Sequence, residues 1–165
     1  RIGNPLDPKT DLGPLAKEEF LIELHDQIGR TVQEGAQLLK GGAPLERIGY
    51  FYQPTVLGDV EEGMCAFNEE TFGPAAVIVR AKHAEHAIEL ANRSEFGLGA
   101  SIWTANTERG LELAARIQSG SVFVNENTKS DPRVPFGGVK HSGYGRELGI
   151  YGLREFVNIK TVWVH

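Results

Sequence analysis

GASIWTANTERGLELAARIQSGSVFVN, residues 99–125, holds the repeating unit from which the architecture is read. GASIWT (99–104) and SVFVN (121–125) are short apolar segments of strand length. Between them Leu111, Ala114 and Ala115 recur at helical steps behind a cap supplied by Asn106 or Thr107. Just ahead, AAVIVR (75–80) is another apolar run, of the kind buried on both faces, and Ala84, Ala87, Ile88 and Ala91 follow it on a second helical stripe. Strand, helix, strand, helix, strand at these lengths predicts parallel pairing through right-handed crossovers. The expected fold class is α/β, a mostly parallel sheet with flanking helices.

Ligands of such sheets bind beyond the carboxyl ends of the strands. At that end SVFVN runs into NENTKSDPRVPFGGVKHSGYGRELG (125–149), which packs Gly137, Gly138, Gly143, Gly145 and Gly149 together with Pro132 and Pro135 into one long connection. Glycine serves where the chain needs positive φ or a close backbone approach, and proline fixes the direction of entry and exit. Disordered segments are poor in aromatic residues, so Phe136 and Tyr144 mark this connection as an ordered, functional loop.

Upstream, Leu21, Leu24, Ile28, Val32, Ala36 and Leu39 recur at steps of three and four, predicting one helix within residues 14–40. Glu18 and Glu19 open it and Gly41-Gly42 stops it; Gly29 and Gly35 inside it each cost about 1 kcal/mol against alanine, so packing must hold it. Residues 50–60 read as a strand that Pro54 confines to an edge or a bulge. At the far end FVNIKTVWV (156–164) alternates, with Val157, Ile159, Thr161 and Trp163 on one face. A terminal strand of this kind is expected to pair with a sheet of a neighbouring subunit.

The 165 residues are 41% hydrophobic and 24% charged, enough to bury a core, and the net charge of -5 gives no basic footprint for nucleic acid or a membrane surface. No run of about 18 apolar residues and no charged-then-apolar leader is present, so neither a membrane span nor a secretory signal is predicted. A single cysteine points to a reducing, cytoplasmic setting. Arg1 opens in the middle of a polar, turn-rich phrase, RIGNPLDPKTDLGP, as expected of a cut end of something longer.

Taken singly, the chemistry-bearing residues say little. Glu69 and Glu70 are neighbours, and in an extended segment neighbours point to opposite faces, so one of them at most faces a site while a solvated turn carboxylate is the plain alternative. His83 and His86 lack the further ligands a metal needs and read as solvent-facing; His25, His141 and His165 have no obvious partners. Cys65 has no adjacent base and reads as an inert small hydrophobe. Neither a Gly-x-Gly-x-x-Gly after a strand nor a phosphate-binding Gly-Lys-Ser or Gly-Lys-Thr occurs.

Longer phrases say more. EETFGP (69–74), PFGGVKHSGYGRE (135–147) and GLREFVNIKTV (152–162), with the opening GNPLDPKTDLGPL (3–15), resemble the C-terminal part of the NAD(P)-dependent aldehyde dehydrogenase superfamily over essentially the whole chain. SDPRVPFGG (130–138) and REFVNIKTVW (154–163) are most similar to its succinate-semialdehyde dehydrogenase branch. The resemblance implies a cofactor, NAD or NADP, and a mechanism: a cysteine thiolate attacks the aldehyde, hydride passes to the nicotinamide, and a glutamate-activated water hydrolyses the thioester. It places Glu70 on the nicotinamide ribose and Phe72 beside the nicotinamide as cofactor-binding residues. Ser130 falls on the far carboxylate of the substrate and Phe136 on the wall of the substrate tunnel. Glu147 becomes a brace behind the active site. It divides the chain into residues 1–150, the later part of the catalytic domain, and residues 151–165, an oligomerisation strand of a homo-oligomer, dimer or tetramer. The Gly-Gln-x-Cys nucleophile phrase of the family does not occur here, so a fragment inactive alone is expected. An aldehyde dehydrogenase of broad specificity for uncharged substrates, or a non-catalytic binding and assembly module, are the competing expectations.

Overall fold

The computed structural model describes residues 1–165, which form two compact units, residues 1–82 and 83–165. In the first unit the elements run α1 (Glu18–Gln33), β1 (Gln37–Lys40), β2 (Thr55–Gly58), α2 (Cys65–Asn68) and β3 (Ala75–Val77). The apolar stripe of α1 does what its spacing predicts: Leu24 and Ile28 are buried and meet Ala36, Tyr52, Leu57, Val60 and Ala66 in one core.

The helix ends sooner than its periodicity suggests. Gly35 takes φ 119°, and the amides of Gly35 and Ala36 turn back to the carbonyls of Val32 and Thr31, closing the last turn in a left-handed cap. Gln37–Lys40 then pairs antiparallel with β2. Ala36 and Leu39 fit a helical step by coincidence, and a strand ladder overrides it, as tertiary pairing does over short stretches. Gly35 is therefore a helix terminator, not an interior residue, and Gly41 and Gly42, both at positive φ, end a strand.

β2 is the central strand of the order β1-β2-β3, not an edge. Pro54 lies just before its first residue, where no ladder donor is required. β3 runs parallel to β2, yet its burial alternates and Ile78 beyond it is 48% exposed, so AAVIVR is half-buried and not covered on both faces.

The second unit runs α3 (Ala84–Arg93), β4 (Phe96–Gly97), β5 (Gly99–Ile102), α4 (Thr107–Ala114), β6 (Ser121–Val124), β7 (Val139–Lys140) and α5 (Gly149–Glu155). β5 and β6 are parallel and in register from Gly99 opposite Ser121 to Ile102 opposite Val124, with α4 between them in sequence. The Asn106 side chain accepts the Arg109 amide at 3.0 Å and so supplies the α4 cap. The strand pair β4 and β7 is antiparallel. The chain is α/β, but its strands form three small sheets of mixed direction in place of one mostly parallel sheet.

Residues 156–164 form no strand. Phe156, Ile159 and Trp163 are 91%, 80% and 86% exposed, and the tail joins none of the three sheets of its own chain. No helix is long and apolar enough to cross a membrane.

Candidate functional site

In the first unit the candidate residues lie on the segment that follows α2, and α1 supplies what holds it. Read along the face that meets this segment, α1 contributes Phe20, Leu24, Gln27, Arg30 and Thr31, and its C-cap adds Glu34, at the steps of three and four that put side chains on one helical face. The Thr31 hydroxyl donates to the Gln27 carbonyl at 2.7 Å and accepts the Ala66 amide at 3.0 Å; the Glu34 carboxylate accepts the Cys65 amide at 2.6 Å. Gly73 packs so closely on Leu24 that a β-carbon there would stand 2.5 Å from a leucine methyl. The Phe72 ring, 69% exposed, leans on Phe20 with centroids 6.2 Å apart.

The two neighbouring carboxylates have opposite fates. Glu69, in extended backbone, turns toward α1. Arg30 donates to its two oxygens at 2.7 and 2.9 Å, and Gln27 Nε2 donates to it at 3.2 Å. The Arg30 hydrogen bonds first, then that of Gln27, hold its pKa down to about 2. Glu70 is exposed, and its carboxylate has no hydrogen bond or ion pair; only its backbone carbonyl is engaged, accepting Gln27 Nε2 at 3.1 Å. An acceptor-only group aimed at solvent beside an exposed aromatic ring is suited to a ligand that brings paired hydroxyls and a flat ring.

Cys65 is 4% exposed, and burial, followed by its contact with Glu69, raises its pKa above the ordinary value, the opposite of what an attacking thiolate needs. Its reading as an inert hydrophobe stands. Two of the histidines do have partners. His25 Nδ1 lies 2.9 Å from the Tyr52 hydroxyl, and His141 Nδ1 lies 3.2 Å from the Glu95 carboxylate. His83 is exposed, as expected, and also caps α3 by accepting the His86 amide at 3.1 Å.

In the second unit the glycine-rich loop leaves from the carboxyl ends of β5 and β6. Asn125, at φ 57°, closes that end: its side chain accepts the Thr104 amide at 2.8 Å and donates to the Thr104 carbonyl at 2.9 Å. Ser130 follows on an exposed stretch, and its hydroxyl bonds neither its own backbone nor any other group of the chain. Arg133, a cation three residues further along the loop, is engaged within it. Arg133 grips Asp131 at 2.8 and 2.5 Å, and that grip depresses the carboxyl pKa strongly.

Phe136 and Glu147 are brought together by their backbones, each amide donating to the other's carbonyl at 2.8 Å. They line a cavity of about 470 Å³ with Leu98, Gly137, Gly138 and Phe156; Ser130 is not part of its wall. The Glu147 carboxylate is exposed and unpartnered, while Gly152 of α5 packs against its backbone so tightly that a β-carbon would come within 2.7 Å. Arg146 staples the loop by donating to the carbonyls of Gly138 and Gly145 at 2.8 and 2.6 Å.

Gln27 and Arg30 were not legible as site residues. Their signal was present as a polar stripe at positions 27, 30, 31 and 34, beside the apolar one that the periodicity follows.

What fold and sites define is an α/β chain with a helix-cradled carboxylate in one unit and a glycine-shaped ligand loop in the other. The sequence profile of the aldehyde dehydrogenase family matches residues 1–162, and the chain belongs to that family. It is 52% identical to the succinate semialdehyde dehydrogenase [NAD(P)+] Sad of Escherichia coli, over 99% of this chain and 35% of that protein. Against the succinate-semialdehyde dehydrogenase [NADP(+)] 1 of Mycobacterium tuberculosis strain H37Rv the identity is 47%, over 99% of this chain and 36% of that protein. The crystal structure of succinic semialdehyde dehydrogenase from Streptococcus pyogenes, in complex with NADP+, superposes with a TM-score of 0.95 at 38% identity, covering 99% of this chain and 36% of that one. The chain thus spans about a third of the length of the relatives it matches.

Proposed function

We propose that the chain is the C-terminal third of a cytoplasmic aldehyde dehydrogenase that oxidises succinate semialdehyde to the dicarboxylic acid with NAD or NADP. The observation that carries this reading is the 52% identity, sustained over 99% of the chain, to a protein named for that substrate. The geometry supports it. Glu70, with a free acceptor carboxylate, would hold the ribose diol of the dinucleotide, and Phe72 would lie against its nicotinamide ring. The dinucleotide, when bound, supplies the hydride acceptor. Ser130 would bind the far carboxylate of the substrate, Phe136 would wall the tunnel, and Glu147 would brace that wall through the backbone pair it makes with Phe136. Residues 1–150 would belong to the catalytic domain. Residues 151–165 would complete a sheet in a neighbouring copy of a homo-oligomer, which fits the exposure of the apolar tail. With Cys65 buried and no second cysteine, the chain alone would carry out no oxidation.

The test is Ser130→Ala in the complete enzyme. A hydroxyl donating to a charged carboxylate contributes about 1.5–3 kcal/mol, so kcat/KM for succinate semialdehyde should fall roughly ten- to a hundredfold. Butanal, which offers no carboxylate, should lose little. Equal losses for both aldehydes would mean that Ser130 only shapes the loop, and the reading would fall back to an aldehyde dehydrogenase of unknown substrate.

A further inference from the structure

Two facts about Glu70 stand apart: its carboxylate makes no hydrogen bond or ion pair, yet the backbone on both sides of it is pinned. On one side, Arg30 and Gln27 hold the Glu69 side chain against α1 by three hydrogen bonds, and the Glu69 amide donates to the Cys65 carbonyl at 2.8 Å. On the other, the Glu70 carbonyl is held by Gln27 Nε2 at 3.1 Å, which fixes the plane of the peptide leading to Thr71. Consecutive side chains of an extended segment point opposite ways, so a Glu69 drawn toward α1 sends the Glu70 side chain away from it. Gln27 is 3% exposed and divides one amide nitrogen between the two glutamates, an arrangement with no slack for either to rotate. Arg30 is itself steadied by Asp26, one helical turn earlier, at 2.7 Å.

We infer that Gln27 and Arg30 are positioning residues, which act through Glu69 and the Glu70 carbonyl to aim the Glu70 carboxylate at the ribose of the dinucleotide. The inference rests on the assignment of Glu70 to the ribose made above. A purely structural alternative is that the same bonds only fasten the segment after α2 to α1. The alternatives separate by coupling: a positioning residue has no effect on hydride transfer once the group it aims is gone, whereas a fastener still does.

The experiment uses the complete enzyme with saturating succinate semialdehyde and dinucleotide, and follows NAD(P)H formation in a single turnover, with the dinucleotide Kd measured by fluorescence titration. Arg30→Lys keeps the charge on a partly exposed side chain but loses the two-pronged contact, and Gln27→Leu removes both of its bonds. Each should slow hydride transfer about tenfold while Kd moves by less than about threefold, because misdirection costs rate before it costs affinity. In a Glu70→Ala background, itself slowed, neither substitution should slow transfer further by more than about twofold. Additive slowing in that background, or unslowed transfer in Arg30→Lys and Gln27→Leu while Glu70→Ala is slow, overturns the inference alone. Wild-type transfer in Glu70→Ala overturns the ribose assignment and the inference with it. Should Gln27→Leu fail to fold, Arg30→Lys, whose side chain is 41% exposed, decides the matter by itself.

Discussion

The segment after α2 and the glycine-rich loop are both irregular, both carry candidate site residues, and are held by different means. Around Glu70 the work is done by side chains of α1 and its C-cap: Gln27, Arg30, Thr31 and Glu34 reach across to amides, a carbonyl and a carboxylate. Around Phe136 it is done largely by the backbone itself, through the Phe136 and Glu147 pair and through glycines that let strands of chain touch. Side-chain clamps can be loosened one hydrogen bond at a time, so they should yield graded losses. Backbone contacts leave no room for a single added methyl, so they should fail abruptly.

Gly120 gives the largest expected effect and the hardest test of that contrast. A β-carbon built on it would stand 1.6 Å from the Gly137 carbonyl oxygen and 2.6 Å from its carbon, both backbone atoms. Gly120→Ala must therefore move the loop or β6, since no flexible side chain can step aside. We expect a loss of about 3 kcal/mol, at the upper end of overpacking, read from the urea midpoint. A loss below about 1 kcal/mol would show the loop to be compliant and would break the comparison from this side.

Thr31 offers the matching test in the first unit. It is fully buried, and its hydroxyl both donates to the Gln27 carbonyl and accepts the Ala66 amide. Thr31→Val keeps the shape, removes both bonds and strands the Ala66 amide out of water. The expected cost is about 2 kcal/mol, the penalty of one buried polar group left unpaired, and smaller than that of Gly120→Ala. Equal losses would erase the distinction between the two modes of attachment.

The same contrast explains what could be read from the residues. β5, α4 and β6 were legible because each has a pure period and Asn106 is a cap residue whose side chain needs only its own helix. The glycine loop was legible as a shaped segment because glycine and proline mark backbone demands directly. What escaped was long-range. The end of α1 was hidden because Ala36 and Leu39 satisfy a helical step, and only the ladder to β2 makes Gln37–Lys40 a strand. The role of Gln27 was hidden because its partners lie 42 and 43 residues away, and a buried glutamine has no local signature. Which of Glu69 and Glu70 is the free carboxylate was open for the same reason: alternation says that one faces away, and only Arg30 decides which.

The smallest expected effect is the acid sensitivity of the Glu69 clamp. Its pKa is held at about 2 against an ordinary value of 4.5, chiefly by Arg30 and next by Gln27. A carboxyl whose folded pKa is depressed stabilises the fold while it is ionised. Its contribution is complete above the unfolded value and is lost as pH falls through the folded one. The pair is also 41% and 43% exposed, so water and salt screen it and the contribution is modest. Wild type and Glu69→Gln should accordingly differ in melting temperature at about pH 6, with the gap closing as pH falls from about 5 toward about 2 and narrowing in about 1 M salt. A gap that stayed constant over this range would mean that Glu69 holds the segment through the geometry of its hydrogen bonds and not through its charge. In that case Arg30→Lys, which keeps the charge but loses the two-pronged contact, should lower the stability of this unit as well as slow hydride transfer.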